Sequence, residues 1–296
     1  VLFRSGRVWV DRLDDPARAF ALAMVQHHGV SDVVARILAG RGVALEALPA
    51  YLDPRLRDLM PDPFELTGME SAAIRIAGAI ERNEIIAIFG DYDVDGASSA
   101  ALLAGFLDHA GARRLIHIPD RLTEGYGPNV EAVQTLLGAG AQLLVTVDCG
   151  TTGHEPILEA MRLGVPTIVL DHHQASETLP EAYAIVNPNR LDDLSGLGHL
   201  CAAGVVFMTL VAVSRILRMR GFWDRQGGEP DLMAMLDLVA LGTVADVVPL
   251  IGLNRAFVRQ GLAVMRRRNR DATVEAMRQS GVDTLDIPAF LRKQAD

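Results

Sequence analysis

The sequence predicts an α/β fold, in which a mostly parallel sheet is covered by helices on both faces. From residue 67 onwards, short continuous apolar runs alternate with segments of helical length and periodicity. Continuous apolar runs are typical of strands that are buried on both faces. Their alternation with helices is typical of successive βαβ units, which build parallel sheets. After Pro188 only helical patterns follow, so we expect a helical segment after the sheet.

Three regions follow from this pattern. Prolines divide residues 1–66 into short pieces, so we expect a lead-in with brief helices, such as one over 17–26. The sheet region is expected over 67–190 and the helical region over 191–296. The predicted strands cover 85–89, 114–118, 143–147, 166–170 and 184–186. The predicted helices beyond residue 90 cover 98–109, 129–138, 154–163, 198–219, 232–244 and 252–268.

Aspartates stand where the predicted strands end. Asp91, Asp93 and Asp95 follow the first strand, and Asp148 and Asp171 each directly follow a later one. Because open α/β sheets bind ligands at the carboxyl ends of their strands, we expect these acids to converge at one edge. Like charges this close repel one another unless a cation neutralises them, and hard divalent cations prefer carboxylate oxygens. An aspartate-rich turn is the alternative interpretation of the first three.

Asp246 and a pair of histidines favour the metal-site hypothesis over the turn. Asp246 interrupts an apolar run over 238–250, in which we expect it to be buried, and a buried carboxylate is costly without a partner. His172 and His173 directly follow Asp171. Since adjacent side chains of an extended segment face opposite ways, we do not expect both histidines to reach one ion.

Composition excludes several kinds of protein. At 296 residues and 50% hydrophobic, the chain is long enough to bury a sizeable core. Its single lysine, Lys293, leaves none upstream for a P-loop or a Schiff base. Two cysteines, Cys149 and Cys201, make neither a disulfide framework nor a four-thiolate zinc site. The net charge of −9 means that contacts with nucleic-acid phosphates must be local.

No signal peptide is recognisable, and we expect no segment long enough to span a membrane. The longest apolar stretch lies around residues 200–213. These features predict a cytosolic protein with no membrane partner.

Taken together, the motifs resemble the DHH phosphoesterases, and within them the RecJ-type single-strand exonucleases. The matching segments, in the order that this family shows, are Gly90–Gly96 (GDYDVDG), Val147–Gly150 (VDCG), Asp171–His173 (DHH) and Gly242–Leu250 (GTVADVVPL). Pro119–Arg121 with Glu124–Gly127 resembles the substrate loop of the family. The resemblance runs from about residue 50 to the C-terminus. It implies a bacterial cytoplasmic 5′-to-3′ exonuclease of DNA repair and recombination, which acts on single-stranded DNA.

The resemblance also implies a role for each candidate residue. The expected ion ligands are Asp91 and Asp93 for a first ion, Asp95, His172 and Asp246 for a second, and Asp148 as a bridge between them. Phosphodiester hydrolysis with two ions needs them ~3.5–4 Å apart, which a bridging carboxylate provides. Oxygen ligands with a single imidazole suit Mn²⁺ or Mg²⁺ better than zinc.

The remaining candidates concern the substrate and the histidines. His173 is expected to contact the scissile phosphate, and Asp171 is expected to orient a histidine, so that His173, Asp148 and Asp171 form the catalytic set. Arg121 and Tyr126, in the loop after the second predicted strand, are expected to bind substrate together with His173. The N-terminal N–H groups of the helix near Cys201 are expected to serve packing, with possible help in binding phosphate.

Two alternatives remain open. One is another member of the superfamily, namely a nano-RNase, a cyclic-dinucleotide phosphodiesterase or a manganese pyrophosphatase. Those enzymes typically carry a histidine shortly before the aspartates, where this chain has Phe89. The other is a non-catalytic DNA-replication scaffold, which would have lost some of the acids.

The resemblance also bears on the ends of the chain and on its partners. The sequence begins with Val1 and stops at Asp296, where RecJ-like sequences continue into a DHH-associated C-terminal domain and an OB-fold. We therefore expect residues 191–296 to begin the connector to that part. We expect the chain alone to fold and to bind metal but to be a weak nuclease. Single-stranded DNA, a single-strand-binding protein and a RecQ-like helicase are the expected partners.

Overall fold

In the computed structural model, which describes residues 10–267, five strands form one fully parallel sheet in the order β2-β1-β3-β4-β5. The strands are β1 (Ile86–Gly90), β2 (Arg114–His117), β3 (Leu143–Val147), β4 (Thr167–Leu170) and β5 (Ala184–Val186). This confirms the predicted α/β class. From β1 the chain moves to β2 on one side and then to β3 on the other, and sheets of this order bind ligands outside that switch point.

The chain divides into two compact units, of which the first ends at Leu59 and the second begins at Met60. The first unit contains α1 (Asp15–His28), α2 (Asp32–Ala39), α3 (Leu48–Leu52) and α4 (Leu56–Leu59). Its buried core includes Met24, Ala35 and Leu48. The first unit ends before residue 66, which was the predicted end of the lead-in. The reason is that the turn at Pro63–Glu65 packs against helices of the second unit. The predicted boundary between 190 and 191 stays a prediction.

The second unit carries the sheet and most of the helices. These helices are α5 (Met69–Glu81), α6 (Val94–His109), α7 (Val130–Gly138), α8 (His154–Arg162), α9 (Ala202–Met219), α10 (Trp223–Gln226), α11 (Leu236–Ala245) and α12 (Gly252–Arg267). The predicted helix over 232–244 is a 3₁₀ turn followed by α11. Residue 268, the predicted end of the last helix, lies outside the described residues.

Helices cover the two faces of the sheet. On one face, Ala87 and Phe89 of β1 share a buried cluster with Val133 of α7 and Ala160 of α8. Helices α6 and α9 pack against each other and against strands β1, β3 and β4. Since successive strand residues point to opposite faces, both faces are buried, as continuous apolar strands require.

Helix α9 corrects one expectation. Among the described residues it is the one helix that is long and apolar enough to span a membrane, whereas no such segment was expected. The structure buries 78% of its 18 residues inside the protein. Helices that are apolar on all sides also occur in the cores of large proteins. The length and composition of α9 are therefore weak evidence that it spans a membrane.

Candidate metal centre

Acids and histidines from four segments meet at the carboxyl edge of the sheet. Their ligand atoms form three groups, in each of which the atoms lie within 4.8 Å of one another. The groups are Asp91–Asp93–Asp148, Asp95–His172–Asp246 and Asp148–His172–His173. Every residue that was predicted to bind an ion belongs to one of these groups, and Asp148 and His172 each belong to two. The assignment of each residue to a particular ion stays a prediction.

Asp148, at the end of β3, is the least satisfied acid of the centre. Its side chain is 1% exposed, and neither carboxylate oxygen accepts a hydrogen bond. Burial, together with the charges of Asp95 and Asp93, raises the pKa of this carboxyl well above its usual value. A buried carboxylate without donors is unfavourable, so these two oxygens fit a cation. The residue also has φ of 61°, a left-handed conformation that aspartate tolerates better than most.

Asp91 and Asp93 flank the turn from β1 into α6. Asp91 is buried, its Oδ1 has no partner, and burial raises the pKa of its carboxyl to about 6. Asp93 is exposed and caps α6, since its Oδ1 accepts a hydrogen bond from Gly96 N at 2.9 Å. This cap starts the helix at Val94, earlier than the predicted residue 98. A Cβ at Gly96 would lie 2.4 Å from the Asp91 carbonyl oxygen, so the close turn requires glycine.

Asp95 lies in the first turn of α6 and is tied to the start of α9. Its Oδ2 accepts a hydrogen bond from Ala202 N at 2.6 Å, and its Oδ1 accepts one from Ala203 N at 3.0 Å. These N–H groups are among the unsatisfied donors of a helix N-terminus. Burial nevertheless raises the pKa of Asp95 to about 6. The Asp95 carboxylate occupies both of these donors, so neither N–H group is free to bind phosphate.

Asp171 organises the histidine pair. Its Oδ1 accepts hydrogen bonds from the backbone N–H groups of His172 (2.7 Å) and His173 (3.2 Å) and contacts His173 Nδ1 at 2.7 Å. Its Oδ2 accepts one from Thr151 N at 3.0 Å. Burial opposes ionisation, but the His173 and Thr151 hydrogen bonds outweigh it and hold the Asp171 pKa below its usual value. The same bond to Asp171 raises the pKa of His173.

The expectation that the two imidazoles face opposite ways is wrong. Their ring centroids are 4.7 Å apart, and a nitrogen of each lies in one group with Asp148. Alternation requires an extended strand, whereas β4 ends at Leu170 and the Asp171 carboxylate gathers both following N–H groups. His172 Nε2 lies 3.2 Å from Asp148 Oδ1 without hydrogen-bond geometry and is buried without a partner.

Asp246 completes the second group from the end of α11. It is the C-cap residue of that helix, and its side chain is 24% exposed, so the prediction of a buried acid is wrong. The apolar run leaves the core after Thr243, and Val244 and Val247 are both exposed. Asp246 Oδ2 lies 3.7 Å from His172 Nε2. Partial burial raises the pKa of this carboxyl as well.

The predicted substrate residues lie in the loop between β2 and α7. Tyr126 Oη lies 3.1 Å from His173 Nε2, so this tyrosine is brought to the centre. The guanidinium of Arg121 lies over the ring of Tyr92, 5.3 Å from its centroid. Motif reasoning passed over Tyr92, although an aromatic residue between two acids was a signal that could have singled it out.

Glu124 anchors this loop to its surroundings. Its Oε1 accepts a hydrogen bond from Asp120 N at 3.0 Å, and its Oε2 lies 2.8 Å from His117 Nε2 of β2. Asn129, which caps α7, donates a longer bond to the same carboxylate at 3.4 Å. The loop is therefore fixed to both elements that it connects.

A family model supports the motifs. The model of the "DHH family, N-terminal domain" matches residues 85–243, which is more than half of the chain. The chain belongs to the DHH family. The DHH region includes every predicted ion ligand except Asp246, which follows it closely, and its Asp-His-His motif is Asp171–His173.

Within the DHH family the chain is similar to single-strand-specific exonucleases. It is 39% identical over 233 residues to the single-stranded-DNA-specific exonuclease RecJ of Salmonella typhimurium, covering 78% of this chain and 40% of that protein. The RecJ of Bacillus subtilis is 36% identical over 255 residues, covering 86% of this chain and 30% of that protein. The chain thus spans well under half of the length of these curated relatives.

Solved structures agree with this placement. A crystal structure of RecJ from Thermus thermophilus in complex with Mn²⁺ matches with a TM-score of 0.67 at 32% identity, covering 86% of this chain and 34% of that one. A crystal structure of exonuclease RecJ bound to manganese matches with a TM-score of 0.60 at 38% identity, covering 69% of this chain and 49% of that one. A RecJ structure in complex with Mg²⁺ matches with a TM-score of 0.57 at 29% identity, covering 86% of this chain and 31% of that one.

Proposed function

We propose that this chain is the metal-binding part of a single-strand-specific DNA exonuclease, which hydrolyses phosphodiester bonds from the 5′ end. The observation that carries the proposal is Asp148, a buried carboxylate without hydrogen-bond donors that belongs to two adjoining ligand groups. Similarity to proteins named single-stranded-DNA-specific exonuclease RecJ supports the choice of substrate.

The residues present fit two Mn²⁺ or Mg²⁺ ions. The donors are carboxylate oxygens with one free imidazole nitrogen, which is a set that hard divalent ions accept. RecJ structures bound to Mn²⁺ and to Mg²⁺ support the same choice. Asp91 and Asp93 would hold one ion, Asp95, His172 and Asp246 the other, and Asp148 both. When bound, the ions polarise phosphoryl oxygens and lower the pKa of water.

Residues around the metal ligands supply charges and hydrogen-bond donors for the substrate phosphate. Asp171 keeps its charge and favours protonation of His173, so the imidazolium can donate a hydrogen bond to a phosphate oxygen from Nε2. Tyr126 Oη lies 3.1 Å from that nitrogen. The loop also places the positive charge of Arg121 over Tyr92, the residue between Asp91 and Asp93, and this charge would stabilise a phosphate bound there.

Phe89 supports the exonuclease over the other phosphoesterases of the superfamily. It is fully buried in β1 and packs against His117 with ring centroids 5.1 Å apart. It therefore offers no ligand to the centre at the position where those enzymes are expected to carry histidine. Every candidate acid is in place, which disfavours a non-catalytic scaffold. A single-strand-binding protein and a RecQ-like helicase as partners, and the bacterial cytoplasm as location, belong to the same proposal.

The direction of digestion tests the proposed function. We expect the full-length protein with Mn²⁺ to release label early from single strands labelled at the 5′ end and late from strands labelled at the 3′ end. A blunt duplex of the same sequence is the matched control and should be largely untouched. Early release of the 3′ label, or equal digestion of the duplex, would show that the proposed polarity or substrate is wrong.

The pH dependence of stability tests the metal centre in the chain itself. Asp91 and Asp95 have pKa values of about 6 against an ordinary 3.8, so the native state binds protons more tightly than the unfolded state in this interval. Without metal, these two acids therefore lower stability as the pH rises from about 4 to above 6. Because metal binds the ionised form, we expect Mn²⁺ to raise the melting temperature little at about pH 5 and strongly at about pH 7.5. A gain of equal size at both pH values, measured by scanning calorimetry with and without Mn²⁺, would contradict this centre.

A further inference from the structure

Tyr92 occupies a position between the acids and the substrate loop. It lies between Asp91 and Asp93 in sequence, but its ring packs against the loop after β2. The Arg121 guanidinium lies over the ring at 5.3 Å, and Tyr126 meets it edge-on, with centroids 6.5 Å apart and planes at 84°. Tyr126 in turn contacts His173. An aromatic chain thus connects the acid turn to Arg121 and to His173.

Arg121 differs from several arginines of the second unit. Arg75, Arg114 and Arg190 each form an ion pair with a carboxylate, at 2.7 Å in each case. Within the part of the chain that the structure describes, no ion pair involves Arg121, and its guanidinium has the Tyr92 ring as its neighbour. The face of an aromatic ring attracts a cation without neutralising its charge. The guanidinium is therefore held in place while its charge and its N–H groups stay available to an anion.

We infer that Tyr92 is a positioning residue, whose ring orders the Arg121 side chain so that it meets a phosphate of the single strand. The inference rests on the proposed function and adds to it a residue that acts through Arg121. Glu124 fixes the backbone of the loop at Asp120, but the arginine side chain extends beyond that anchor. A free arginine loses much rotamer entropy when it binds, and ordering it beforehand reduces that loss.

The test is a double-mutant cycle on digestion of a single strand by the full-length protein with Mn²⁺. The variants are Tyr92→Leu, Arg121→Gln and the combination of both, with Tyr92→Phe as the conservative exchange. An exposed cation–π contact corresponds to about a two- to fivefold change. We therefore expect Tyr92→Leu to raise KM about two- to fivefold with a nearly unchanged kcat, and Tyr92→Phe to restore most of the loss.

The cycle separates positioning from general damage. If Tyr92 acts through Arg121, Tyr92→Leu should cost nothing further in the Arg121→Gln background, because contacting residues are not additive. Binding of Mn²⁺ by calorimetry should be the same in wild type and Tyr92→Leu. Additive losses, no rescue by Tyr92→Phe, or a fall in kcat alone would each overturn the inference.

Failure of the proposed function gives a different result. If the full-length protein does not digest single strands, the proposed function is wrong, whatever the state of Tyr92. In that case the dissociation constant of a labelled single strand is measured for the wild type and for the variants of the same cycle. Non-additive weakening in that measurement supports positioning of Arg121 by Tyr92, and additive or absent weakening overturns it.

Discussion

Replacing Asp148 by alanine should abolish nuclease activity of the full-length protein and weaken the binding of both metal ions. The carboxylate is buried, its two oxygens have no donors, and it lies in one group with Asp91 and Asp93 and in another with His172 and His173, so its loss removes a ligand that two adjoining groups share. Metal ions contribute several kcal/mol of transition-state stabilisation, so we expect at least about a hundredfold loss of kcat. Digestion of a single strand and calorimetric Mn²⁺ titration of the chain provide the two measurements.

Two further variants make this experiment specific. Asp148→Asn keeps a residue that tolerates the left-handed φ of 61°, so it removes the charge without adding backbone strain. It should be nearly as defective as Asp148→Ala. Asp224→Ala removes the same charge from an exposed position and should have no effect. If Asp148→Asn binds two ions with the affinity of the wild type, the bridging assignment is wrong.

Replacing Asp171 by asparagine should destabilise the metal-free chain by about 2–4 kcal/mol and lower the pKa of His173. The carboxylate is buried and receives several hydrogen bonds. An amide keeps an acceptor for the histidine segment, but its NH₂ group faces the N–H of Thr151, which then has no acceptor. Urea unfolding in the presence of a chelator measures the stability, and NMR titration of the His173 ring measures its pKa.

The pH dependence of this loss distinguishes charge from packing. Asp171 has a lowered pKa, so its stabilising effect is present above its ordinary value near 3.8 and disappears as the pH falls below it. The difference between wild type and Asp171→Asn should therefore be large at neutral pH and should decrease in acid. Asp192→Asn is the matched control, because Asp192 pairs with Arg190 at the surface and its loss should cost at most about 1 kcal/mol. A loss for Asp171→Asn that is constant with pH would indicate packing alone.

Periodicity and strand ends were sufficient to predict the sheet and the place of the centre. Continuous apolar runs located all five strands within a residue or so, because strands buried on both faces leave little room for polar residues. Asp91, Asp148 and Asp171 follow three neighbouring strands, so parallel pairing alone brings them to one edge. These predictions needed no knowledge of side-chain packing.

The remaining features depend on tertiary contacts that no local pattern records. The pair His172 and His173 was expected to alternate, but the Asp171 carboxylate bends the segment. Asp246 was expected to be buried because it lies in an apolar run. The run does not show that the helix ends at the surface, and so Asp246 is only partly buried. The contact between Tyr92 and Arg121 joins two loops on different strands and depends on the course of both.

The link between Asp95 and α9 sets an order in which the protein can be assembled. Asp95 and Ala202 are 107 residues apart, so the amides that receive this carboxylate leave the ribosome long after the acid turn does. Closing a loop of this length costs entropy, and contacts between distant residues form slowly. We therefore expect Asp95 to remain in contact with water until these later helices have been synthesised. Docking of α9 and of α11, whose Gly242 lies close to Asp95 Oδ1, buries Asp95, so we expect completion of the centre to be a late step of folding.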